Sequence, residues 1–157
     1  MGYCTVADVR DLIKDDMLNS ILGDIYIDES DVEAMEKREK DITFLIENAI
    51  MDADAEIDGY LSKRYSPPFE EVPAVLKKFS KDIAAYHLVS RRGINEDTQE
   101  KTYLTRYNSA IKYLTMVAEG KIDIGTTVDN IGQAVAKDSF HFISSHRLFS
   151  RKSMRGW

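Results

Sequence analysis

The sequence predicts an all-α fold: a four-helix body over residues 1–120, followed by an extended C-terminal arm over residues 121–157. Three observations predict it. Apolar residues recur at three- and four-residue steps through three long stretches, the period of an α-helix. The prolines fall between these stretches and not inside them. Strand-like alternation shows only beyond residue 121, so any short strands belong to the arm.

The elements follow in order. Thr5-Val6-Ala7-Asp8 fits a capping box, in which hydroxyl and carboxylate satisfy N–H groups at a helix start. Val9, Leu12, Ile13 and Met17 then mark a short first helix. Residues 19–40 are acidic, contain Gly23 and carry a small apolar cluster at Ile25-Tyr26-Ile27. They read as a loop, with a helical turn near Ser30–Glu36.

Helix two is expected from Glu39 to Arg64. Ile42, Leu45, Ile46, Ala49, Ile50, Ala53, Ile57, Tyr60 and Leu61 form one stripe along it. Ser66-Pro67-Pro68 stops it, because the residue before a proline avoids αR and proline has no N–H to give. Pro73 restarts helix at a first-turn position, with Glu70 and Glu71 near the positive end. Val75, Leu76, Phe79, Ile83, Tyr86 and Leu88 carry helix three to about Arg91, and Gly93 ends it. Asn95 is placed to cap helix four, with Glu96 and Asp97 in its first turn. Tyr103, Leu104, Tyr107, Ala110, Ile111, Leu114 and Val117 form its stripe, and Gly120 closes it. Ile122-Asp123-Ile124 and Phe140-His141-Phe142 then alternate, as short strands do.

A chain of 157 residues suits one domain with an appended arm. No apolar run approaches the ~18 residues of a membrane span. The N-terminus has no basic region followed by an apolar one, so no secretory signal is expected. Position 6 is Val6, which speaks against myristoylation after Met-Gly. Cys4 stands alone, so no disulfide forms within one chain, and a reducing intracellular setting fits. The net charge of −6 hides an asymmetry: residues 1–120 carry −9 and residues 121–157 carry +3. An acidic body repels nucleic acid, whereas a basic tail suits an acidic groove.

Several constellations invite a chemical reading. Asp54, Glu56, Asp58 and Gly59 occupy positions one, three, five and six of a calcium-loop pattern. The twelfth position, where a bidentate glutamate belongs, is Tyr65. The same residues continue the stripe of helix two, so they read as a helix face. Asp52 and Glu56, like Asp54 and Asp58, are four apart, but no Glu-x-x-His partner exists for a two-metal site. His87, His141 and His146 lack zinc-ligand spacing with one another or with Cys4. His87 reads as a satisfied, half-buried histidine. There is no phosphate-binding glycine loop and no nucleophile elbow. No catalytic, cofactor or metal residues are therefore expected, and no enzyme activity.

Asp82 is flanked by Phe79, Ile83 and Tyr86, so it is expected to be buried and to need a partner. Arg64, at the basic end of helix two, is the expected partner, as a structural ion pair. The tail is read as a docking arm that orders on a partner. Its partner-binding residues are Phe140, Phe142, Arg147, Leu148, Phe149, Arg151, Met154, Arg155 and Trp157, too apolar for an idle terminus.

An ordered set of short patterns also carries a resemblance. Thr5-x-x-Asp8-Val9 leads to Leu12-Ile13. Ala53-x-x-Glu56-Ile57-Asp58-Gly59-Tyr60-Leu61-x-x-Arg64-Tyr65 comes next. Pro68, Val72-Pro73-x-x-Leu76 and Asp82-Ile83-Ala84-x-Tyr86 come after it. Tyr107-Asn108-x-Ala110-Ile111-Lys112-x-Leu114-x-x-Val117-Ala118-x-Gly120-Lys121 and Phe149-Ser150-Arg151-x-Ser153-Met154-Arg155-Gly156 complete the set. Together these resemble the Mu-like phage head–tail connector family, over nearly the whole chain. The acidic stretch from about Asp24 to Lys40 departs from it by looking longer than usual.

The resemblance implies a small helical virion protein without catalysis or cofactor. It implies a homo-oligomeric ring of about twelve copies, whose contacts are heterologous. The expected partners are the portal protein and a tail-proximal neck or stopper protein. DNA would pass through the channel without specific binding, and no membrane is involved. Assembly in the bacterial host cytoplasm and residence in the virion neck follow. The acidic faces around Glu47, Asp52, Asp54 and Glu56 are candidates for a ring contact or the channel lining. The alternative is a cellular helical adaptor or regulator whose basic tail binds nucleic acid.

Overall fold

A computed structural model describes residues 2–23, 31–94 and 100–125. The described residues form five helices: α1 Val6–Arg10, α2 Asp15–Leu22, α3 Val32–Leu61, α4 Ala74–Ser90 and α5 Lys101–Ala118. No strand occurs among them. The described body is therefore all-α, as expected.

The first predicted helix is two helices. Thr5 accepts from the Asp8 N–H and the Asp8 carboxylate accepts from the Thr5 N–H, so the capping box is present and starts α1. Lys77 adds an ion pair to Asp8 at 3.0 Å. The Thr5 hydroxyl and Lys77 together hold the Asp8 carboxyl down at about 2. The chain turns through Asp11–Lys14, and α2 follows with Leu18 buried.

The loop expected over residues 19–40 is largely helix. Residues up to Leu22 belong to α2, and α3 begins at Val32. Asp31 caps α3 by accepting from the Ala34 N–H at 3.1 Å. The run that follows is rich in Glu, Lys, Met and Ala, all strong helix formers. Arg38 then donates to the carbonyls of Asn19 and Gly23 at 2.9 and 3.0 Å, and to the Asn19 side chain at 3.0 Å. It thereby satisfies carbonyls that the end of α2 leaves open. Arg10 pairs with Glu39 at 2.6 Å, tying α1 to the same stretch.

With 30 residues, α3 is about 45 Å long at ~1.5 Å per residue. It buries Ile42, Ile46, Ala49, Ile50, Ala53, Ile57 and Leu61, a subset of the predicted stripe. Pro73 sits at the N-cap of α4, as its fixed φ suggests. Leu76, Phe79, Ile83, Leu88 and Val89 of α4 meet Ala110, Leu114 and Val117 of α5 in one core with α3. Phe79 packs at a tilt against Tyr113 and Tyr86 stacks on Tyr107, so α4 and α5 run antiparallel. Glu56 bonds Tyr107 and Arg64 bonds Val117, so α3 and α5 run in the same direction.

The chain stays on the body past Gly120. Ile124 is buried in the core, and its N–H donates to the Tyr65 hydroxyl at 3.3 Å. Ile122-Asp123-Ile124 form no strand; they are pinned by side chains from the end of α3. The cap expected at Asn95 and the alternation at Phe140 and Phe142 lie outside the described residues.

Candidate functional site

Three features of the body bear on function. The first is the segment that follows α5, residues 119–125. Arg64 donates through Nη1 to the carbonyls of Val117 and Ile122, both at 3.2 Å, and through Nη2 to Asp123 at 2.9 Å. Its guanidinium lies 3.8 Å from where a Cβ on Gly120 would stand, and Gly120 holds φ +79°. A cation set on the last turn of α5 adds a second hydrogen bond to the Val117 carbonyl, which already accepts from the Gly120 N–H, and interacts favourably with the helix dipole. Arg64 thus clamps the segment after α5 to the end of α3.

This arrangement corrects the expected Arg64–Asp82 pair. Asp82 is buried as expected, at 5% exposure. Its partners are Lys78 at 3.3 Å and Arg106 at 3.6 Å. The reason is topological. Asp82 lies on the part of α4 that faces the first half of α5, while Arg64 follows α3 to the far end of α5. Sequence proximity across the Pro67–Pro73 turn did not translate into contact.

The second feature is the carboxylate run on α3. None of its three members is free for a cation. Asp54 accepts from the Tyr3 N–H at 2.9 Å and the Ser80 hydroxyl at 2.6 Å. Asp58 accepts from the Tyr3 hydroxyl. Glu56 accepts from the Tyr107 hydroxyl at 3.0 Å and lies 3.4 Å from His87 Nε2. These groups fasten the N-terminal segment and the α4–α5 pair onto α3. Burial raises the Asp54 carboxyl above the ordinary 3.8, against the hydrogen bonds from Ser80 and Tyr3. Burial also raises the Tyr3 hydroxyl, reinforced by Asp58. Tyr107 is pushed up to about 12 by burial and then by Glu56. Burial likewise raises the Cys4 thiol, which lies 3.1 Å from Ser80 Oγ. Among the described residues no group of three His, Cys, Asp or Glu could hold a metal ion.

The third feature is the outer face of α3, which sequence reading passed over. Phe44 and Met51 are 65% and 67% exposed. With exposed Asn48 and Ala55 they step by four, three and four residues, opposite the buried stripe. The signal was present in the spacing, since Phe44 and Met51 are seven apart and neither fits the core period. Of the acidic residues expected to face a ring neighbour or a channel, Glu47 and Asp52 are exposed; Asp54 and Glu56 turn inward to the contacts above. No helix among the described residues is long and apolar enough to cross a membrane. The predicted partner-binding residues from Phe140 to Trp157 lie outside the described residues.

Comparison with known proteins places this body. The family model described as Bacteriophage Mu, Gp36 matches residues 3–141. The chain is 31% identical over 106 residues to gene product J of Escherichia phage Mu, covering 68% of this chain and 71% of that protein. It is 35% identical over 85 residues to the Mu-like prophage FluMu protein gp36 of Haemophilus influenzae, covering 54% of this chain. That alignment spans little more than half of the Haemophilus protein, 56%. With its helical body matched from the N-terminal clasp at Tyr3 through α5, the chain belongs to the bacteriophage Mu Gp36 family.

Proposed function

We propose that this protein is a structural, non-catalytic virion component. It acts as a head–tail connector that forms a ring between the portal vertex and the tail. The observation that carries the reading is the family match over residues 3–141, which spans all five helices. The chemistry of the body supports it. The carboxylates of Asp54, Glu56 and Asp58 are spent on internal hydrogen bonds, and the exposed features of the body are apolar and charged surfaces suited to assembly. Portal and tail-proximal neck proteins are the partners of this reading, and DNA passes the ring without specific contact.

The test is an image of the neck of virions produced from the phage or prophage that encodes this chain. A ring of this protein between portal and tail is expected. Particles whose neck lacks it, or holds a single copy, overturn the reading. The basic tail, +3 over residues 121–157, favours one other reading, a nucleic-acid-binding regulator. A salt-dependent shift of DNA mobility by the purified chain identifies that case.

A further inference from the structure

The outer face of α3 carries Phe44 and Met51, 65% and 67% exposed, on the side opposite the core. We propose that it receives the C-terminal segment, residues 140–157, of a second copy of this chain. The inference rests on the connector reading for the presence of a neighbouring copy. The structure supplies the acceptor and the sequence supplies the donor.

The acceptor is apolar at its centre and acidic at its rim. Phe44 and Met51 project from the side of α3 opposite the core, with Asn48 and Ala55 between and beyond them. Asp41, Glu47 and Asp52 flank that stripe, all exposed. None of the three makes an ion pair or hydrogen bond with another described residue. Lys37 and Lys40 continue the stripe at its N-terminal end, both exposed, and Lys40 lies 4.0 Å from Glu36; the flanks from Asp41 to Asp52 carry only acidic charge. Exposed apolar anchors within a charged rim are what a docking surface presents before its partner arrives.

The donor complements both parts. Residues 140–157 carry Arg147, Arg151, Lys152 and Arg155 and no acidic residue. They interleave these with Phe149, Met154 and Trp157, side chains that anchor interfaces well. The folded bodies are poor partners for one another, because residues 1–120 carry −9. A basic segment removes that repulsion where a second body would add to it.

Chain length allows the exchange. The described chain ends at Gly125, held near Tyr65 beyond the C-terminal end of α3. Residues 126–139 span up to ~46 Å at about 3.3 Å per residue, enough to reach an adjacent molecule. Donor and acceptor are different surfaces, so the contact is heterologous. Each copy gives its segment to the next and takes one from the last, which closes a ring if the rotation allows.

Photo-cross-linking of the full chain tests this. Benzoyl-phenylalanine replaces Met51, and equal amounts of isotopically light and heavy protein are mixed. Light–heavy cross-links from position 51 to peptides within residues 140–157 are expected. Cross-links confined to single chains, cross-links to body peptides, or no cross-links overturn the proposal. Glu47→Lys with Asp52→Lys should abolish the light–heavy product, and Arg151→Glu with Arg155→Glu in the donor pool should restore it. Failure of that rescue, with unchanged circular dichroism, also counts against it. The two readings fail separately. A neck ring with a bare α3 face sinks this inference and leaves the connector. The cross-link in a protein absent from the neck sinks the connector and leaves the inference.

Discussion

The two ends of α3 are one helix held in two ways. Residues 42–61 bury a side chain on nearly every turn, whereas residues 32–41 bury none. Val32 and Met35 lie on the same side as Ile42 and Ile46, yet they are 65% and 50% exposed. The C-terminal part is fixed by apolar packing against α4 and α5. The N-terminal part is fixed by its Asp31 cap, by Arg38 on the end of α2 and by the Arg10–Glu39 pair. A helix can therefore be continuous in backbone while its stabilisation changes from burial to polar contact partway along.

The sharpest way to break that comparison is to truncate one side chain from each part. Ile57 is fully buried, so Ile57→Ala should cost ~2–5 kcal/mol, the transfer term plus the cavity left behind. Met35→Ala should stay within ~0.5 kcal/mol, as exposed substitutions do. Urea denaturation of both variants reads the difference. Equal costs would mean that the N-terminal part is packed after all.

Arg64→Ala should come next, at ~1.5–3 kcal/mol, because one charged group serves two carbonyls and a carboxylate. Its loss should also speed amide exchange at Ile124, whose position depends on the same clamp. A lowered melting temperature without faster exchange at Ile124 would show that the segment after α5 is held by Tyr65 instead. Arg38→Ala should have a local effect. Exchange should accelerate across residues 32–41 and remain slow across residues 49–61, since local stability follows the contacts that are lost. Uniform acceleration would make α3 a single cooperative unit.

A smaller effect concerns pH. Asp54 has its folded value raised above the ordinary 3.8. The folded state then binds a proton more readily than the unfolded one. Stability should fall as pH rises from about 4 through the raised value, and Asp54→Asn should remove that slope. Asp8 has the opposite sign, held at about 2. Its contribution is present above its ordinary value and is lost as pH falls towards 2. A stability–pH profile separates the two, because their windows lie on either side of the same ordinary value. A flat profile above pH 4 in the unmodified protein would contradict the desolvation of Asp54.

The same contrast explains what was legible in the sequence. Ile42, Ile46, Ala49, Ile50, Ala53, Ile57 and Leu61 were readable because burial imposes a period, and the structure buries all seven. The Pro67–Pro73 break and the capping box at Thr5 were readable because they are local. Residues 32–40 were not, because polar contacts to α1 and α2 leave no apolar period. The Arg64–Asp82 pairing failed for a related reason. Both residues advertised a need for a partner, but only the packing of α5 decides which partner each meets. The clasp of Tyr3 on Asp54 and Asp58 likewise joins positions more than fifty residues apart. Its one trace in the sequence was the spacing of Asp54 and Asp58, four apart and so on one face of the helix.

The smallest effect on folding belongs to the outer face of the well-packed part. Phe44→Ser and Met51→Ser remove apolar atoms that touch water in the isolated body, so each should change stability by no more than ~0.5 kcal/mol. Their inward neighbours Ile46 and Ile50 are buried, so the same chemical change one or two residues away should be severe. Thermal melts of the four serine variants make the test internal to a single stretch of helix. A large loss at Phe44 or Met51 would mean that the isolated chain already covers this face. Unchanged melting with reduced self-association would separate a surface kept for assembly from the stripe that folds the body, within eight residues of one helix.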